Sequence, residues 1–177
     1  MISIALDSVR LVVESEIPAL HDHYLKHAKR VESFDLKSEG EFLFVAASIG
    51  DSGWPQLVVQ QRYDPGPRSG FHPGLCVIPE NGLLFIGAGT RLLAYSLSSL
   101  DKLWEDVTAC GFWGWARHDN YVVMSAELEL AVWSLRGERC WATFVEPPWT
   151  YSVRNDTVEL DVMGTKSSFP LATGPQH

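Results

Sequence analysis

The chain is short of cysteine, of positive charge and of long apolar runs, and each shortage closes off a class of function. Its 3 cysteines, Cys76, Cys110 and Cys140, lie at least 30 positions apart and form no CxxC pair. That spacing fits neither a disulfide framework nor a clustered zinc site, and three reduced thiols point to a cytoplasmic setting. No apolar stretch reaches the roughly 18 residues that a membrane-spanning helix needs. The segment from Met1 to Glu16 has no basic stretch, and Asp7, Arg10 and Glu14 interrupt its apolar runs, so no secretory leader is expected. Only 14 Lys+Arg stand against 22 Asp+Glu, a formal net charge of -8. Such a balance disfavours nucleic-acid backbones and anionic membranes and suits a basic partner. Catalytic signatures are missing too: Gly87-Ala88-Gly89 lacks the Lys-Ser/Thr of a phosphate loop, no GxSxG occurs, and no cysteine has an obvious basic partner for activation as a nucleophile. No cofactor is expected.

What is present is a globular composition, 46% apolar and 11% aromatic over 177 residues. A chain of this length forms one domain and buries roughly 70% of its unfolded surface without staples. Residues 1–177 are accordingly expected to form a single domain. The C-terminal part carries a repeat. Ile86 to Leu97 aligns with Met124 to Leu135 at a constant offset, with Ala88/Ala126, Leu92/Leu130, Ser96/Ser134 and Leu97/Leu135 identical and Tyr95 opposite Trp133. Trp104 then meets Trp141, and Trp113-Gly114-Trp115 corresponds to Trp149-Thr150-Tyr151. The period is about 37 residues. Within a unit the residues alternate: Leu128, Leu130 and Val132 point one way, Glu129, Ala131 and Trp133 the other, which is the period of a strand. Asn81-Gly82, Asp119-Asn120 and Asn155-Asp156 supply turn chemistry, Asn-Gly being the strongest signal for a type I′ hairpin. The expected fold is mainly β, built of antiparallel meanders with strands at 111–117, 121–126, 128–135 and 138–144 in the best-defined unit. A two-sheet sandwich or a curled sheet is the alternative arrangement of the same strands.

The run Val132-Trp133-Ser134-Leu135-Arg136-Gly137-Glu138-Arg139-Cys140-Trp141, like Ala94 to Leu97 followed by Trp104, resembles the blade repeats of quinoprotein-type and WD-type β-propellers, in which a strand ends at a Gly turn and a Trp follows on the next strand. The resemblance covers residues 71–163. Ser96 and Ser134 stand where those repeats often carry Asp, and the units are too few to enclose a central cofactor. It therefore implies propeller-like strands and no functional residue.

Residues 1–70 are less regular. Strands are expected at Ile2 to Leu6, Arg10 to Glu14, Glu41 to Ser48 and Gln56 to Arg62. Leu20, Tyr24, Ala28 and Val31 fall on one face of a helix near 18–31. Asp64 to Gly70 reads as a Pro/Gly connection, and 164–177 as a surface tail or a partly disordered one. Because so few units leave apolar faces open, the stack is expected to be capped by its N-terminal segment or by a second copy of the chain.

Candidate site residues follow from residue type. Trp113 and Trp115, and Trp149 and Tyr151, are expected to share strand faces and to form either an aromatic recognition surface or repeat core. Glu127 and Glu129, two apart, could act as an acid/base pair, although an Arg91–Glu129 ion pair is the simpler use of Glu129. His23 and His27 have the i, i+4 spacing of metal ligands without a third ligand in view, so no metal site is assigned. Together these features predict a non-catalytic protein-binding module, an inhibitor or immunity-type factor for a basic partner being one form of it. The alternative is a small-ligand binder or enzyme with a tryptophan-lined pocket.

Overall fold

The computed structural model describes residues 2–6, 8–67 and 70–176. Asp7, and Arg68 and Ser69 of the Pro/Gly connection, lie outside the described residues. The first sheet contains β1 (Ile2–Leu6), β2 (Val9–Glu14), β3 (Arg30–Phe34), β4 (Glu41–Ile49) and β5 (Leu57–Tyr63), with the helix α1 (His21–His27) between β2 and β3. Its order is β1-β2-β4-β5-β3, and β3 runs parallel to β5 while every other pair is antiparallel. The second sheet is the meander β6 (Gly74–Ile78), β7 (Leu83–Ala88), β8 (Arg91–Ser96) and β9 (Lys102–Val107). The third is β10 (Phe112–His118), β11 (Tyr121–Ala126), β12 (Glu129–Ser134) and β13 (Arg139–Phe144). The fourth has three strands, β14 (Trp149–Arg154), β15 (Thr157–Val162) and β16 (Thr165–Pro170). The strands thus form four sheets rather than the two of a sandwich, and no barrel closes.

Period-2 alternation explains why the sheets stack. On β7 and β8, Leu84, Ile86, Leu93 and Tyr95 face the first sheet, meeting Val45 and Val59. The alternate residues Leu83, Phe85, Leu92 and Ala94 face the third, meeting Met124 and Trp133. One layer further, Leu130 and Val132 face the fourth sheet and meet Val158, Leu160 and Phe169. Each layer therefore hides an apolar face of its neighbour. At one end of the stack, Tyr24, Leu25 and Ala28 around α1 cover Phe42, Phe44 and Val58 of the first sheet, the N-terminal cap expected from the sequence. At the other end the outer face of the fourth sheet is polar. Thr150, Ser152, Glu159, Asp161, Lys166 and Ser168 border a shallow cavity of about 490 Å3 there.

Three local expectations are corrected. The helix spans His21–His27, shorter than 18–31, because Ala28 is extended (φ -65, ψ 139) and the Lys29 and Arg30 N–H groups both donate to the Gln56 carbonyl. Those bonds draw the chain into β3, so Val31 lies in a strand. Asn81-Gly82 does not form a type I′ turn: Pro79–Asn81 makes a 3-10 turn that ends on Gly82 at φ 60. Of the three expected turn pairs, Asn155-Asp156, at φ 47 and 58, is the one with two positive angles, and Met163-Gly164, at φ 51 and 86, makes a further such turn. The described residues 164–176 of the expected tail are not a surface tail. β16 pairs with β15, Leu171 is buried, and Gly174 at φ 70 takes the place that Gly137, at φ 79, holds one repeat earlier. The same tie recurs at both: the Trp104 indole N–H donates to the Gly137 carbonyl and that of Trp141 to the Leu171 carbonyl, each at 2.6 Å.

The first and second sheets are tied at their outer strands by charge. Phe34 lies under the Arg91 guanidinium and the Lys102 ammonium, 4.7 and 5.0 Å from its ring centre. Arg91 also pairs with Asp35 at 2.7 Å and Glu105 at 2.9 Å. Glu32 accepts from Arg30 and, at 2.9 Å, from the Tyr95 hydroxyl, with Lys102 3.4 Å away. Burial alone would raise the Glu32 pKa, but the hydrogen bonds from Arg30 and Tyr95 and the nearby ammonium outweigh it and hold it below the ordinary value of 4.5. Glu105 is lowered as well, chiefly by its bond from Lys102. Depressed carboxylates stabilise the fold above their unfolded pKa, and that contribution is lost as pH falls through the folded one. The urea midpoint is therefore expected to hold from pH 7 to 5 and drop below about pH 4.5, and Glu32→Gln should flatten the drop; an unchanged profile in that variant would refute the assignment.

Gln61 is fully buried on the β5 face that meets the second sheet, in line with Leu57, Val59 and Tyr63, and neither atom of its amide has a hydrogen-bond partner. An unpaired buried amide costs about 1–3 kcal/mol. The near-isosteric Gln61→Met is expected to raise stability by roughly 1 kcal/mol, and equilibrium unfolding that showed a loss would mean that the amide is satisfied.

Candidate functional site

The candidate site is created by an irregularity in β10. Phe112 pairs with Ala126 and Gly114 with Ser125, so Trp113 is an extra residue, a β-bulge. The bulge breaks the alternation that would put Trp113 and Trp115 on one face. Trp115 joins Phe112, Phe85 and Trp133 at centroid distances of 5.4–5.5 Å between the second and third sheets. Trp113 turns toward the fourth sheet and stacks on Trp149 at 5.2 Å and 20°. Trp149 leans on Tyr151 at 6.2 Å, and Tyr151 meets His118 edge-on at 6.4 Å. Trp149 is buried, whereas Trp113 is 41% exposed. The core and recognition readings of the tryptophans thus each hold for some of them: Trp104, Trp115 and Trp133 fill an interface, and Trp113 stands at a surface.

Glu127 holds this edge in place. Its N–H donates to the Gly111 carbonyl at 2.9 Å, its carbonyl accepts the Trp149 indole N–H at 2.9 Å, and its carboxylate accepts the Cys110 thiol at 2.8 Å. One turn residue therefore joins the loop after the second sheet, the third sheet and the first strand of the fourth. The bond to Glu127, with burial adding to it, pushes the Cys110 thiol pKa up. A thiol held protonated by a carboxylate is a poor nucleophile.

Glu129 does not join Glu127 in an acid/base pair, nor does it meet Arg91. Arg91 faces the first sheet and Glu129 faces the second, so repeat-equivalent positions lie one layer apart, about 10 Å. Arg91 is taken by Asp35 and Glu105. Glu129 is half-buried, and its pKa is raised by burial and by Asp106, with Arg139 opposing. Arg139 itself pairs with Asp106 at 2.8 Å. His23 and His27 share a face of α1, their rings 6.2 Å apart; His27 bonds through Nδ1 to the His23 carbonyl and stacks on Trp54 at 4.6 Å. Among the described residues no three His, Cys, Asp or Glu side chains converge as metal ligands.

Residue typing missed three exposed apolar residues at the same end of the strands, of which Val107 and Phe144 lie on the edge strands β9 and β13, across their sheets from the β10 edge that carries Trp113. Val107, Phe144 and Met163 are 64%, 69% and 56% exposed, and all three lie at the end of the sheets where Glu127 and Trp113 sit. Val107 and Phe144 occupy equivalent places at the ends of β9 and β13, so the repeat could have flagged them. The N–H of Met163 donates to the Pro148 carbonyl at 3.0 Å, which joins it to the Trp149 edge.

No protein-family model matches the chain, and no curated protein matches it. Among solved structures the chain is similar to the computationally designed Ika4 protein, at 17% identity and a TM-score of 0.46, over 62% of this chain and 71% of that one. It is also similar to BamB from Moraxella catarrhalis (13%, 0.41, 72% of this chain and 39% of that one) and to Sqt1 from Saccharomyces cerevisiae (12%, 0.42, 73% and 39%). It spans about two fifths of the latter two, and all three scores are too low to define a shared fold. No helix among the described residues is long and apolar enough to cross a membrane.

The two kinds of tryptophan should respond differently to truncation. Trp133→Ala is expected to cost about 3–5 kcal/mol, whereas Trp113→Ala should cost well under half of that because its ring already meets water. Chemical denaturation of both variants checks this, and equal losses would make Trp113 a core residue.

Proposed function

We propose that the protein is a non-catalytic protein-binding module whose stacked meanders are propeller-type blades and whose recognition surface centres on Trp113. The observation that carries the reading is the Trp113–Trp149 stack: an exposed indole fixed on a buried one, the latter bonded to the Glu127 carbonyl. Interface hot spots are dominated by such preorganised aromatic groups, because little side-chain freedom is lost on docking. Met163, exposed and tied through its N–H to the Pro148 carbonyl beside Trp149, extends the apolar area at that edge. The net charge of -8 favours a basic partner, which an inhibitor or immunity-type factor would sequester. Three unpaired cysteines suit a cytoplasmic setting. The engagement of Glu127 with Cys110, and of Glu129 with Asp106 and Arg139, weighs against an acid/base site.

Affinity capture from the source lysate, compared between the wild type and Trp113→Ala, tests the reading. A basic protein recovered in stoichiometric amount by the wild type, weakened by salt and lost with Trp113→Ala, is the expected result. Equal recovery by both proteins would remove Trp113 from the interface.

A further inference from the structure

Ser48 on β4 is only 5% exposed, yet its hydroxyl makes no hydrogen bond among the described residues. A buried hydroxyl without a partner points to a group that the chain itself does not supply. Alternation along β4 puts Ser48 with Phe42, Phe44 and Ala46 on the face of the first sheet that α1 covers. Beyond Phe44 that face opens into a cavity of about 240 Å3. Ala46 and Val12, paired across β4 and β2, lie in it, and Ser48 and Arg10 are paired two residues further on. Leu20 and Tyr24 line the cavity from the α1 side and Trp54 from the connection between β4 and β5.

The walls are held in place. The Trp54 carbonyl accepts the Ser52 hydroxyl at 2.6 Å, its indole is stacked with the His27 ring at 4.6 Å, and Tyr24 meets it edge-on at 6.1 Å. The histidine of α1 that lacks a metal therefore braces the indole. Arg10 is the one charged residue among those lining the cavity. It donates to the Ser52 carbonyl at 3.2 Å and enters no ion pair among the described residues, so most of its N–H groups are free. In a chain of net charge -8, a cavity lined by a cation and by no carboxylate is set apart from its surroundings.

We infer that this cavity is a binding site for a small aromatic carboxylate, on the opposite side of the stack from Trp113 and independent of the recognition proposed there. The carboxylate accepts from the Arg10 guanidinium and the Ser48 hydroxyl, which directly opposed positions on paired strands hold about 5 Å apart at the backbone. The ring lies on Val12 and Ala46 beside Tyr24 and Trp54. An inorganic anion would leave that apolar floor uncovered, and an uncharged aromatic would leave Arg10 unmatched. The cavity is smaller than the roughly 300–1,000 Å3 of a drug-sized pocket, which limits the ligand to one ring or two fused ones.

The probe is sodium indole-3-carboxylate, titrated into the 15N-labelled full chain and followed through the indole N–H cross-peaks of its 7 tryptophans. The cross-peak that disappears in Trp54→Phe is expected to shift and saturate, while the one that disappears in Trp113→Phe stays in place. Arg10→Gln and Ser48→Ala should each weaken binding about tenfold, the loss of one charge-assisted bond. Ser48→Ala removes a hydroxyl without a partner in the free protein, so its unfolding midpoint should not fall, which separates a ligand contact from a structural one. The neutral indole-3-carboxamide, tested on the wild type so that no variant need fold, should also bind about tenfold more weakly. A Trp54 cross-peak unmoved by millimolar carboxylate would overturn the inference. So would equal binding of the carboxamide, or variants of Arg10 and Ser48 that bind as tightly as the wild type. None of these results bears on the capture experiment at Trp113, which stands or falls separately.

Discussion

Strands β7, β8, β11 and β12 are apolar on both faces, so neither the second nor the third sheet can present either face to water. Leu84 and Ile86 look one way and Leu83 and Phe85 the other, all of them buried. At about 25 cal/mol per Å2 of apolar surface removed from water, exposing one such face would cost more than a domain's whole net stability. Everything else in the molecule answers that constraint. The first sheet and α1 close one side, the fourth sheet closes the other, and the fourth turns a polar surface of Thr, Ser, Glu and Asp outward.

Layers held by non-directional burial alone could slide, and the polar contacts fix their registration. The Trp104 and Trp141 indoles each donate to a backbone carbonyl of the next unit's turn. Glu127 does the corresponding work at the opposite end of the strands, using its backbone N–H, its carbonyl and its carboxylate on three different segments. Between the first two sheets the fastening is ionic, through Glu32, Arg91, Lys102 and Glu105 around Phe34. The proposed surface depends on the second of these fastenings, since Trp113 is held against Trp149 and Trp149 is held by Glu127. Recognition and registration therefore share a residue.

Periodicity was legible because it is a local property. The repeat of about 37 residues placed β10 to β13 within a residue or two of where they lie, and the strands of the first sheet, apart from β3, were readable in the same way. β3 was not, because its residues fit a helical face locally and only the Gln56 carbonyl, far along the chain, draws them into an extended strand. The last unit was hidden for a related reason: Thr165 to Ser168 are polar and exposed, so a strand that forms an outer edge reads like a tail.

The sequence by itself determined the strand periods, the acidic balance and which residue types could carry recognition, since each of these is set by composition and spacing along the chain. Tertiary structure alone decided which tryptophan is exposed. A one-residue bulge reverses the direction of every side chain before it relative to those after it, and no residue type announces it at Trp113. It also decided that Glu127 and Glu129 are not a pair and that Arg91 and Glu129 never meet. Equivalent positions in a stacked repeat are separated by a whole layer, and only the order of the layers says which faces look at each other.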